Sequence, residues 1–201
     1  MVSTLEAYFQ GKKHLFEGLA MERLETEWTE YPVLHMDFSV SKYTDADKLR
    51  EVLNIQISRW EKIYGKETDE LTFSNRFEGV IQRAYEKTGK QVVVLVDEYD
   101  APLLDSNGDS ELQKQLRNIV RDFFSPLKKN GQYLRFLFIT GISKFSQLSI
   151  FSELNNLKNI SMRDDFSALC GITETELLTQ LKPDIERMAE ANGETYEEAC
   201  A

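Results

Sequence analysis

Cysteine, proline and glycine are scarce in this chain: 2, 4 and 10 of 201 residues. Two cysteines, Cys170 and Cys200, argue against a disulfide framework and point to a reducing cytoplasm. Sparse proline and glycine leave no stretch that reads as a long linker or a low-complexity tract. Long hydrophobic runs are also missing. The longest interior one, Val92 to Val96, falls far short of the roughly 20 residues of a membrane helix. The opening Met1-Val-Ser-Thr-Leu-Glu6 has neither the basic nor the apolar region of a secretory signal. Positive charge is in deficit, with 24 Lys+Arg against 34 Asp+Glu and a net charge of −10. That disfavours a broadly basic nucleic-acid surface, while a local one stays open. His14 and His35 stand far apart with no zinc-like spacing of Cys or acids around them.

What is present is an ordinary globular composition, 41% hydrophobic and 29% charged, enough for a real core. Ser3 to Phe9 reads as a helix, and Tyr31-Pro-Val-Leu-His-Met-Asp-Phe-Ser39 as a short buried strand with Pro32 near its start. Leu49, Leu53, Ile57, Trp60 and Tyr64 recur at helical spacing up to Gly65, and Phe77, Val80, Ile81 and Tyr85 do so up to Gly89. Gln91-Val-Val-Val-Leu-Val-Asp97 is continuous and β-branched, as in a strand covered on both faces. One helix is predicted over 110–128, and a second continuous strand over 133–140. Helix and buried strand in alternation mean an α/β fold with a largely parallel sheet. Thr173-x-x-Glu176 and Thr195-x-x-Glu198 are capping boxes, and Pro183 suits a helix start between them. The division expected is a core over 1–172 and the start of a helical region over 173–201.

The chemistry concentrates at two strand ends. Val92 to Val96 delivers Asp97 and Glu98, with Asp100 two residues on, at the edge where open α/β sheets bind ligands. An apolar strand closed by Asp-Glu is the form of the Walker B element of P-loop ATPases. There one carboxylate stands near the water shell of Mg²⁺ and the next orients or deprotonates the attacking water. Neighbouring strand residues point to opposite faces, which suits such a division of labour. The second end, Phe136-Leu-Phe-Ile-Thr-Gly-Ile-Ser-Lys-Phe145, offers Thr140, Ser143 and Lys144 to a phosphate or to the lytic water. Gly141 reads as a residue kept for its backbone conformation.

Asp97-Glu-Tyr-Asp-Ala-Pro-Leu103, Thr140-Gly-Ile-Ser-Lys-Phe145 and Ser152-Glu-Leu-Asn-Asn-Leu157 together resemble the bacterial AAA-ATPase-like family. The N-terminal Leu5 to Leu19 and Tyr31 to Ser39 are similar to it as well. The resemblance implies a P-loop NTPase-like three-layer fold with ATP and Mg²⁺ as ligands. Asp97 would contact the metal, Glu98 would be the catalytic base, and Ser143 or Thr140 would serve as the sensor, with Asp100 as a further candidate at the metal and Lys144 at the phosphates. It also implies that a PD-(D/E)xK nuclease-like domain often follows in the full-length protein. One departure stands out: G-x-x-x-x-G-K-[ST], the Walker A loop that cradles the phosphates, occurs nowhere in this chain. The first strand and that loop are therefore expected to be missing, leaving a truncated ATPase core with little nucleotide affinity of its own and a helical C-terminal extension. The other readings are a metal-dependent phosphodiesterase built on Asp97, Glu98 and Asp100, and a non-enzymatic interaction module.

Overall fold

The computed structural model describes residues 1–106, 108–142, 157–161, 163–169 and 171–200. They form two compact units, Met1–Leu157 and Lys158–Ala201.

The first unit is built on three strands, β1 (Val33–Asp37), β2 (Val92–Asp97) and β3 (Leu134–Ile139). Their order is β1-β2-β3 and both pairings are parallel, so β2 is central among the described strands. Parallel neighbours need long crossovers, and helices supply them. Between β1 and β2 run α3 (Ala46–Tyr64) and α4 (Phe73–Thr88). Both are bounded as their sequence dictates. The Asp45 carboxylate accepts the Lys48 N–H at the start of α3, and the Thr72 hydroxyl accepts the Asn75 N–H at the start of α4. Gly89 closes α4 in the left-handed conformation.

Between β2 and β3 the chain departs from the single helix expected over 110–128. It forms α5 (Ala101–Asp105), α6 (Ser110–Phe124) and α7 (Pro126–Lys129). Pro126 has no N–H to continue the α6 ladder, so the chain turns at Ser125 and restarts. α5 is one turn long, too short to leave a periodic signature.

The sheet separates two apolar clusters. Leu34, Met36, Val92, Val94 and Val96, with Leu137 and Ile139, face the buried residues of α3, α4 and α6. Val33, Val93, Leu95, Phe136 and Phe138 face α1 (Val2–Phe9) through Val2, Leu5 and Phe9. This is helix, sheet, helix in three layers. All five residues from Val92 to Val96 are 0–1% exposed, each contributing about 1.5–3 kcal/mol of transfer free energy.

In the second unit the helices Glu174–Thr179, Lys182–Asn192 and Tyr196–Ala199 appear, and both predicted capping boxes form. Ile185 and Ala189 are its buried apolar side chains among the described residues, while Leu169, Ile172, Leu177, Leu178 and Met188 are exposed. Among the described residues no helix is long and apolar enough to cross a membrane.

Candidate functional site at the carboxyl ends of the strands

Because all three strands are parallel, their carboxyl ends share one edge of the sheet. Asp37 and Asp97 are register partners there, and Thr140 follows the last residue of β3. Alternation along β1 and β2 puts Asp37 and Asp97 on the face that α1 covers, in step with Val33, Val93 and Leu95. α1 runs antiparallel to the strands: the Phe9 carbonyl accepts the Tyr31 N–H at 2.8 Å, and Glu6 pairs with His35 Nδ1 at 2.9 Å halfway along β1. Its N-terminal turn therefore points toward the acid edge.

The ladder between β2 and β3 continues past the strand ends. The Thr140 N–H donates to the Val96 carbonyl at 2.9 Å, and the Tyr99 N–H donates to the Thr140 carbonyl at 3.0 Å. These two bonds bring the Thr140 hydroxyl beside the Asp97 carboxylate and the Glu98 amide. It donates to Asp97 Oδ1 and accepts the Glu98 N–H at 3.2 Å. Three of the residues singled out from the sequence thus meet at one hydroxyl.

Glu98 has left the strand. Its φ is +48°, a left-handed conformation that costs a non-glycine residue about 1–3 kcal/mol. The opposite-face argument made for neighbouring strand residues therefore does not reach Glu98. What separates it from Asp97 is this turned backbone, whose carbonyl then accepts the Ala101 N–H at 3.0 Å to start α5. Asp97 and Glu98 are both half-buried.

Asp100 is placed differently from Asp97. It is fully buried, and its Oδ1 accepts the Ile142 N–H at 3.2 Å. Tyr99, beside it, is also buried, and burial together with the nearby Asp100 carboxylate pushes its phenol up to about 12. Gly141 sits against both. A Cβ there would lie 2.5 Å from Asp100 Oδ1 and 2.5 Å from the Tyr99 ring. Its φ is outside the left-handed region, so close approach, and not the backbone conformation expected from the sequence, is what requires glycine. Ser143, Lys144 and most of the Ser152 to Leu157 motif lie outside the described residues.

Asp37 is the residue that sequence reasoning missed. Its Oδ1 accepts the Ser39 N–H at 2.7 Å, and its position opposite Asp97 comes from the β1–β2 register. The signal was present: Val33-Leu-His-Met-Asp37 is an apolar strand ending in an acid, as is Val92 to Asp97.

The donors at this edge are hard oxygens: the Asp97 carboxylate, a threonine hydroxyl and the neighbouring Asp37. Among the described residues no three His, Cys, Asp or Glu side chains converge as a metal cage. Hard oxygens of this kind fit the water shell of a magnesium ion, the donor chemistry that such an ion prefers.

A sheet whose described strands are all parallel, set between helical layers, makes this an α/β domain, with acids and a hydroxyl gathered at the carboxyl edge. Residues 1–151 match the model of the AAA-ATPase-like family, described as "Predicted AAA-ATPase", and the chain belongs to that family. It is 36% identical over 189 residues to an Azotobacter chroococcum mcd 1 protein, "Uncharacterized protein in vnfD 5'region". That alignment takes in 92% of this chain and 36% of the relative, so the chain spans little more than a third of the relative's length. No solved structure matches the chain significantly.

Proposed function

We propose that this chain carries the metal- and water-handling half of a P-loop ATPase site. The observation that carries the reading is the Thr140 hydroxyl, bonded at once to the Asp97 carboxylate and the Glu98 amide where the central strand ends. In this assignment β2 with Asp97 and Glu98 is the Walker B element and Thr140 is the sensor. Asp97 would hold the water shell of Mg²⁺, Glu98 would take the proton of the attacking water, and Thr140 would keep the two acids at fixed separation. Mg²⁺ bound with ATP supplies charge neutralisation at the phosphate oxygens.

The phosphodiesterase reading has less behind it, because it needs Asp100 as a ligand and that carboxylate is turned inward to the Ile142 amide. ATP is thus the proposed ligand. The phosphate-binding loop would have to come from sequence this chain lacks.

The test is to place a strand–G-x-x-x-x-G-K-[ST]–helix segment ahead of Met1 and measure ATP hydrolysis. Turnover should appear with Mg²⁺ and vanish without it. Glu98→Gln should keep nucleotide bound while lowering turnover at least about a hundredfold, the usual weight of a general base. A folded protein of this kind that binds no Mg²⁺-ATP would overturn the proposal.

A further inference from the structure

Asp100 does work that neither the strand alternation nor the proposed ATPase roles account for. A fully buried carboxylate costs several kcal/mol of desolvation unless strong partners meet it. Here it lies one turn residue past Tyr99, and its Oδ1 accepts the Ile142 N–H at 3.2 Å across to the exit of β3. Gly141 has no side chain to hold the two loops apart, and a Cβ on it would come within 2.5 Å of that same oxygen. On the other side of Gly141, Thr140 is fastened by the Tyr99 N–H to its carbonyl at 3.0 Å. The turn over 140–142 is therefore gripped at both ends by the loop that carries Glu98. The first grip is on Thr140 itself, whose hydroxyl touches Asp97 and the Glu98 amide.

We propose that Asp100 is a positioning residue, whose buried carboxylate clips the Ile142 amide and so holds the Thr140 hydroxyl between Asp97 and Glu98. The clip is also what keeps Glu98 in its left-handed backbone conformation: the Thr140 hydroxyl accepts the Glu98 N–H only while the turn is seated. Strain at a functional residue persists where its surroundings over-determine it, and two loops locked by one buried acceptor do that. The consequence for catalysis rests on the ATPase reading above; the clip itself does not.

Amide hydrogen exchange on the chain as it stands tests the clip without any nucleotide. Asp100→Ala should speed exchange at Ile142 and Glu98 about tenfold or more while Val94 and Ile57 stay slow. Asp100→Asn keeps an oxygen acceptor and should restore near-native protection at both amides. Unchanged exchange in Asp100→Ala, or an Asn variant as fast as the Ala variant, would refute the clip. Should Asp100→Ala fail to fold, Gly141→Ala presses on the same oxygen from outside and must speed the same two amides; if it does not, the clip is equally refuted.

In the ATP-hydrolysing protein of the preceding section, Asp100→Ala should lower kcat about tenfold with KM within about twofold, and Asp100→Asn should recover most of it. Full turnover by Asp100→Ala despite fast exchange would overturn the positioning role. A parent protein that never hydrolyses ATP would overturn the ATPase reading alone and leave the exchange result to decide the clip.

Discussion

β2 and β3 both read as continuous, largely apolar strands, Val-Val-Val-Leu-Val-Asp against Leu-Arg-Phe-Leu-Phe-Ile. In the fold they live differently. β2 has a parallel strand on each side and its first five residues are fully buried, whereas β3 pairs with β2, its Arg135 is exposed and its other five residues are only partly buried. A continuous apolar run marks a strand that is covered on both faces. It does not tell how many strands flank it. Coverage of faces is a matter of side-chain hydrophobicity, and neighbours in the sheet are a matter of backbone pairing, which any sequence supplies.

The difference can be broken by truncation. Leu95→Ala in β2 should cost about 3–4 kcal/mol in urea unfolding, the range for a buried leucine whose site cannot collapse. Phe138→Ala removes a larger side chain from β3, yet should cost only about 2–3 kcal/mol, because that ring is partly buried and not fully so. Equal losses would mean that the two strands are equally covered.

A smaller effect sharpens the contrast at the strand exits. β2 leaves the sheet through a left-handed glutamate and β3 through a glycine chosen for close approach. Glu98→Gly relieves the first and should stabilise the chain by about 1 kcal/mol in the same unfolding assay. A loss of stability there would show that the Glu98 side chain contributes more than its backbone costs. Stabilisation combined with lost hydrolysis would be the usual exchange between a strained site and its function.

The mildest test is alkaline titration. Tyr99, pinned between the two exits, has its phenol raised from 10.0 to about 12 in the fold. The folded state therefore binds its proton more tightly than the unfolded chain does. This contribution is intact below pH 10 and declines as pH climbs from 10 toward 12. Tyr43, raised in the same direction by burial and by Asp37 and Asp105, adds to the decline. Thermal melts across that window should fall, and Tyr99→Phe should make the fall shallower.

Much of the fold was legible in the sequence. The glycine stops of α3 and α4, both C-terminal capping boxes and all three strands appear where the residues announce them, since each depends on neighbours within a few positions. What went unread was the break at Pro126, hidden inside apolar spacing that runs straight through it, and α5, a single turn. Of the candidate site, Asp97, Glu98 and Thr140 were legible as strand endings. Asp37 was written in the same form and overlooked.

Local chemistry along the chain, then, sufficed to say that acids would stand at the end of a buried strand, because hydrophobic runs and capping residues act over one or two turns. That the hydroxyl of residue 140 joins residues 97 and 98, and that Asp100 turns away from them to hold Ile142, came from packing alone. Those contacts span about 40 positions of sequence. No spacing rule reaches so far, and only the register of two parallel strands brings such residues within a hydrogen bond of one another.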